Sequence, residues 1–199
     1  LSIRRQRQMC IRDRVQGDQY AALYSETVTV QLENDFLPFL YPNQYVNFTP
    51  DSKASQLALS LIDEDTVDVD ALQQIYDYVV SNLTYDYEKA DTVTTGYLPD
   101  VDETLKTGTG ICFDYAALTT AMLRSCDIPC KLQIGYAGDI KHAWIDVYIR
   151  SKGWVNQAVS FKGDTWTLMD PTFDSNSDDK EAIQDYIGDE SNYTVQFTR

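Results

Sequence analysis

GTGICFDYAAL, residues 108–118, is the stretch on which the reading of the whole chain turns. A Gly-Thr-Gly run can take backbone conformations closed to other residues, and the segment behind it, from Ile111 to Ser125, predicts a helix. Cys112 falls in the first turn of that helix. Unpaired backbone N–H groups and the positive end of the helix dipole favour a sulfur anion there, and the same N–H groups can receive the oxyanion of a tetrahedral intermediate. Ala116, Ala117, Thr120 and Ala121 give the helix a face of small residues, which lets its backbone approach a sheet closely and fixes where the sulfur points. The plain alternative for Cys112 is one more buried core cysteine.

Two downstream pieces argue against that alternative: KHAWIDVYI at 141–149 and LMDPTF at 168–173. The chain has a single histidine, His142, so any imidazole chemistry must use it. His142 and Asp170 follow Cys112 in an order that supplies a nucleophile, a general base and a group to hold the base's tautomer. Alternation along 142–149 predicts a strand with Ala143, Ile145, Val147 and Ile149 facing the core. His142, Trp144, Asp146 and Tyr148 then share a polar-aromatic face, with His142 at the strand start and reachable from the helix bearing Cys112. Trp144 either shields the site or packs as an ordinary aromatic. GWVNQAV and DTWTLMDPTF predict two further strands after a hairpin at Lys152 and Gly153. Asp170 closes the second, where Pro171 ends the ladder, and its carboxylate can accept the imidazole's spare N–H. An Asp-Pro turn is the alternative for Asp170.

Upstream, SETVTVQL from Ser25 to Leu32 alternates as a half-buried strand does. The FLPFLYPNQYVNF segment predicts a loop wrapping the core. Thr49 and Pro50 suit the cap and first turn of a helix carrying Leu57, Leu61 and Ile62. Leu72, Ile75, Tyr76, Val79, Val80 and Leu83 recur at helical spacing after an acidic first turn at Asp68 and Asp70, predicting a helix that packs on the Cys112 helix. The connection from Ser81 to Thr109, with Tyr85, Tyr87 and Tyr97, is too long to be idle and is expected to be structured and partly functional.

These pieces together, in their ICFDYA, IPCKLQIGY and HAWIDVYI contexts, resemble the bacterial branch of the transglutaminase-like superfamily over about residues 70–173. The resemblance implies an α+β, papain-like core with a nucleophile helix packed against an antiparallel β-sheet. It implies Cys112 as nucleophile, His142 as base and Asp170 as orienting acid, with Tyr85 in NLTYDY as a second oxyanion donor or pocket wall. The implied chemistry is acyl transfer or hydrolysis on a carboxamide or peptide bond through a thioester, with a peptidase, deamidase or cross-linking outcome. The other class is a surface or binding module that keeps the fold with an idle triad. The implied substrate is a protein or peptide, cell-wall peptide included, in an extracellular or cell-surface bacterial setting. No cofactor is implied. The extra domains and calcium sites of animal transglutaminases are not recognisable.

Composition sets the frame. In 199 residues, 43% of them apolar, there is enough to bury one real core. A net charge of -15 argues against nucleic acid. No apolar run is long enough for a transmembrane helix, and no signal-peptide pattern opens the sequence. Residues 1–14 carry five Arg and one Asp, unlike the acidic remainder, and are expected to be a tail foreign to the domain, with 15–65 packing on a catalytic domain at 66–199. Cys126 and Cys130 lack the further ligands a zinc site needs and are expected as small core residues, a local disulfide being the alternative. DSNSDDKEAIQD places Asp174, Asn176, Asp178 and Asp185 at EF-hand-like offsets, but Asp179 stands where Gly is needed, so a solvated linker is expected. The remaining tail, with Ile183, Tyr186, Ile187, Tyr193, Val195 and Phe197, is expected to return as a helix or strand covering the sheet.

Overall fold

The computed structural model describes residues 4–16, 19–156, 159–162, 165–168 and 193–199, in two units, Leu1–Leu37 and Pro38–Arg199. The first unit holds an antiparallel hairpin of β1 (Arg4–Gln16) and β2 (Gln19–Gln31), with register shifts at Ile11/Arg12 and Arg14/Gln16. The alternation expected from Ser25 onward lies in β2. Most of residues 1–14, expected as a tail, belong to β1.

The second unit is α+β. Its helices are α1 (Lys53–Leu61), α2 (Asp68–Asn82), α3 (Tyr87–Thr92), α4 (Val101–Thr107) and α5 (Cys112–Ser125). Two short strands, β3 (Thr84–Tyr85) and β4 (Thr109–Gly110), pair in parallel. The main sheet is antiparallel throughout, in the order β10 (Tyr193–Thr198), β5 (Cys130–Ala137), β6 (Ile140–Ile149), β7 (Gly153–Val155). Strands β8 (Val159–Lys162) and β9 (Thr165–Leu168) pair with each other rather than extending that sheet.

The periodic stripe of α2 behaves as the spacing predicts. Ala71, Leu72, Ile75, Tyr76 and Val79 are buried, and the helix packs on α5. Each fully buried aliphatic side chain there contributes about 1.5–3 kcal/mol. Helix α5 is the axle of the unit: every residue from Asp114 to Arg124 is buried, and α1, α2, α4, β5 and β6 all pack on it. Its small residues permit that crowding, as the Cys130 thiol donating to Thr120 Oγ1 at 3.5 Å shows. At its far end Asp127 takes a left-handed turn (φ 57°), and the buried Arg124 ties three segments together. Its guanidinium donates to the carbonyls of Cys130, Tyr41 and Arg199.

Three expectations change. Thr49 and Pro50 do not open α1; they belong to a turn in which Ser52 Oγ accepts the Thr49 N–H (3.0 Å) and Ser52 N–H donates back to the Thr49 carbonyl (3.0 Å). The Ser52 hydroxyl is thereby occupied, and a first-turn amide of α1, Ala54 N–H, donates instead to Asp102 of α4 at 3.0 Å. The end of the chain returns as a strand, one of the two forms expected, but joins the sheet edge as β10 instead of lying over it, leaving Val195 and Phe197 half exposed. Asp68, read as an acidic first-turn residue, has a tertiary role as well. It accepts the Arg150 backbone N–H at 2.9 Å and the Arg150 guanidinium at 2.7–3.0 Å, pinning α2 to the end of β6. Ile183, Tyr186, Ile187 and the acidic run 174–185 lie outside the described residues.

The Arg150 hydrogen bonds, outweighing partial burial, hold the Asp68 carboxyl below its ordinary value of 3.8. A depressed carboxyl stabilises the fold above its unfolded value and loses that contribution as pH falls through the folded one. Asp68→Asn should therefore lower the melting temperature slightly at pH 7. The difference from the parent should shrink below about pH 4. Melting curves at the two pH values check this, and added salt should narrow the gap because Arg150 is exposed.

Candidate active site

The sequence around residue 112 builds a helix start with an unusual cap. Gly108 ends α4 in the left-handed region (φ 63°), returning its N–H to Thr104, and β4 then carries the chain into α5. Ile111 occupies the cap position but offers no side-chain acceptor. Asp114, one turn on, supplies it in reverse: its Oδ2 accepts the Ile111 N–H at 2.8 Å. Gly110 makes room for this, since a Cβ there would lie 2.6 Å from Asp114 Cβ. Cys112 is the first residue of the helix, half-buried, with its side chain packed against the edge of the core.

Asp114 has no exposed surface and carries two further partners. Lys89 Nζ of α3 sits 2.7 Å from Oδ2, and the Tyr97 hydroxyl donates to Oδ1. The Lys89 ammonium also lies over the Tyr97 ring, 4.5 Å from its centroid. Burial raises the Tyr97 phenol, and the adjacent carboxylate raises it further. Lys89 is raised as well, because the bonds to Asp114 and Tyr97 outweigh burial acting the other way. The Tyr97 ring in turn meets Phe113 edge-on at 6.3 Å, and Phe113 meets Tyr45 at 6.4 Å. Tyr97, Phe113 and Tyr45 thus form a run of ring contacts through the residue that follows Cys112.

Tyr85 reaches the same end of α5 from β3. It is the register partner of Gly110, and the next residue, Asp86, donates its N–H to the Gly110 carbonyl at 2.9 Å. Its ring lies 6.5 Å from that of Tyr115 and 5.0 Å from that of Tyr87. His142 is the third residue of β6, opposite Gly135 in register, and only 5% exposed. Its ring stacks on Trp144 at 6.2 Å, with the planes 18° apart. The core side of β6 holds Ala143, Ile145, Val147 and Ile149 as alternation predicts. The other face is also covered, by Tyr193 against Trp144 (5.1 Å) and by Gln133 donating to Asp146.

The structure brings Cys112 and Tyr85 to one end of α5; His142 lies on β6, which packs against α5, but on the face of that strand opposite the side chains that join the α5 core. Asp170 lies outside the described residues. Cys112, Cys126 and Cys130 are free thiols, and burial pushes Cys126 up to about 11 and Cys130 up to about 12. Among the described residues no cluster of His, Cys, Asp and Glu could hold a metal, and no helix is long and apolar enough to cross a membrane. The sequence does not single out Asp114 or Lys89, and it marks Tyr97 only as part of a connection expected to be partly functional. The available signal was an Asp two residues after the cysteine, behind a cap residue with no hydrogen-bonding side chain.

The chain is similar to several known proteins. A UPF0252 protein of Methanocaldococcus jannaschii is 36% identical over 62 residues, covering 29% of this chain and 18% of that protein. A proposed cysteine protease from Cytophaga hutchinsonii superposes with a TM-score of 0.54 at 22% identity, over 84% of this chain and 48% of its own. The periplasmic domain of TgpA from Pseudomonas aeruginosa gives a TM-score of 0.44 at 19% identity, over 56% of this chain and 43% of its own. The match spans less than half the length of each of these relatives. The family model of the transglutaminase-like superfamily matches residues 55–171, well over half of the chain. The α+β core around α5 is accordingly papain-like, and the chain belongs to the transglutaminase-like superfamily.

Proposed function

We propose that this protein is a thiol-dependent acyltransferase or hydrolase acting on a carboxamide or peptide carbonyl, with Cys112 as nucleophile, His142 as base and Asp170 as the acid that orients it. The observation that carries the proposal is the placement of Cys112 at the first position of a buried helix, half-buried itself, while Cys126 and Cys130 are suppressed by burial. A structural cysteine has no need of that position; a nucleophile does. The Cys112 thiolate attacks the carbonyl carbon, and the C–O π pair moves to oxygen. The Cys112 N–H, which has no acceptor within the helix, faces that oxyanion, with Tyr85 as the second donor or as a pocket wall. The imidazolium of His142 protonates the departing amine as the C–N bond breaks, leaving a thioester. Water or a second amine, deprotonated by His142, then attacks the thioester and releases the thiol. Water makes the protein a peptidase or deamidase; an amine makes it a cross-linking enzyme. The substrate class is a protein or peptide, which the aromatic run of Tyr45, Phe113 and Tyr97 can receive.

Two measurements test this. Iodoacetamide at pH 7.5, followed by peptide mapping, should modify Cys112 at least tenfold faster than Cys126 or Cys130. Ammonia release from glutaminyl peptides should be detectable, and adding a primary amine separates transfer from hydrolysis. Equal, slow labelling of the three thiols together with no turnover would leave a binding module.

A further inference from the structure

We propose that Asp114, Lys89 and Tyr97 form a positioning network for the sulfur of Cys112, in which Lys89 neutralises a buried carboxylate that would otherwise oppose a sulfur anion at the helix start. The inference rests on the reading of Cys112 as the reactive nucleophile. Asp114 has a local duty, accepting the Ile111 N–H, that an uncharged acceptor could discharge equally well. A charged group with zero exposure is costly unless paired. The protein supplies that pair from α3, 25 positions earlier in the chain, and adds the Tyr97 hydroxyl on the other oxygen. Both oxygens of the carboxylate are therefore held, and the first turn of α5 is locked to the 86–97 segment.

The electrostatic consequence follows from position. Asp114 lies two residues after Cys112, in the turn whose dipole favours negative charge on sulfur. A bare carboxylate there would repel a thiolate through a poorly screened interior; with the ammonium 2.7 Å away the pair presents little net charge. The other groups around this network are the aromatic rings of Tyr85, Tyr87, Tyr45 and Phe113 and the cap carboxylate Asp86, which is engaged by the Lys89 N–H at 2.9 Å. Among the described contacts Lys89 is thus the cation that faces Asp114. Tyr97 transmits the arrangement outward, since its ring sits on Phe113 next to the cysteine.

The test uses the full chain and reads the rate of Cys112 alkylation by iodoacetamide at pH 7.5, with circular dichroism and melting curves to establish that each variant is folded. Lys89→Met should slow alkylation about tenfold, and Lys89→Arg, which keeps the charge, should stay within about threefold of the parent. Adding Asp114→Asn to Lys89→Met should recover most of the lost rate, because the uncompensated charge is gone. A purely structural network predicts the opposite, a double variant no faster than Lys89→Met. That outcome, or parental rates in Lys89→Met, overturns the inference. Turnover of glutaminyl peptides is measured separately: a parent without turnover but with the charge-dependent pattern of alkylation sinks the enzymatic reading and leaves the network in place.

Discussion

Cys112→Ala should abolish turnover of a glutaminyl peptide, by at least about a thousandfold, while the protein stays folded. The side chain is half-buried at the margin of the core, so losing one sulfur costs little packing. In the proposed mechanism nearly all of the catalytic effect, by contrast, would pass through the covalent bond that this sulfur makes. His142→Gln should give a loss of similar size. Gln is preferred to Ala here because the imidazole is 5% exposed and stacked on Trp144, and a void at that place would confuse unfolding with chemistry. The combination is the informative experiment. If thiol and imidazole act as one unit, the double variant should be no slower than the worse single one, because the second substitution removes something already idle. Losses that multiply would mean two residues with separate roles. Parental turnover in Cys112→Ala would remove the proposed nucleophile altogether.

Much of the fold is legible in the sequence, and the legible parts share a physical feature. Helix α2 buries one face, and strand β6 buries both but puts aliphatic residues on one and polar and aromatic residues on the other, so Leu72, Ile75 and Val79 in the helix and Ala143, Ile145, Val147 and Ile149 in the strand print their period in the sequence. The helices α3 and α4 do not. They are six and seven residues long, too short to show a period, and each starts from an aspartate cap, Asp86 accepting the Lys89 N–H and Asp100 the Asp102 and Glu103 N–H groups. For β10 a strand is among the expected forms but its place is not legible: its exposed Val195 and Phe197 look like covering residues, whereas what places the strand is backbone pairing with β5, on which sequence is silent. The site divides in the same way. Cys112, the proposed nucleophile, is picked out by its Gly-Thr-Gly approach, and Tyr85, the proposed second donor or pocket wall, only by the family resemblance around NLTYDY. Asp114 reads as an ordinary first-turn acid, and only the fold brings Lys89 and Tyr97 to it.

Gly135→Ala should destabilise the protein by about 3 kcal/mol, a fall in melting temperature of roughly 6–12 °C for a chain of this size. Gly135 is the register partner of His142 on one side and of Val195 on the other, so it sits where three strands meet. Its backbone is not in the left-handed region; what requires glycine is proximity. A Cβ would stand 1.9 Å from the Thr194 carbonyl oxygen and 3.0 Å from Trp144 Cη2. The first contact is with backbone, which cannot rotate aside as a side chain can, so β10 must shift or detach. The irregular register between Val195 and Phe197 marks the place where it is already bent. If β10 moves, Tyr193 leaves Trp144, and Trp144 is the ring on which His142 stacks. Gly135→Ala should therefore lower turnover as well, well below the melting transition, with alkylation of Cys112 less affected because the tie from Arg124 to the Arg199 carbonyl lies at the end of α5 opposite Cys112. Thermal melts together with both rates check the chain of effects. A variant that melts with the parent would show that β10 does not lie against β5 at this spacing, and loss of stability with unchanged turnover would show that the imidazole is held by something other than Trp144.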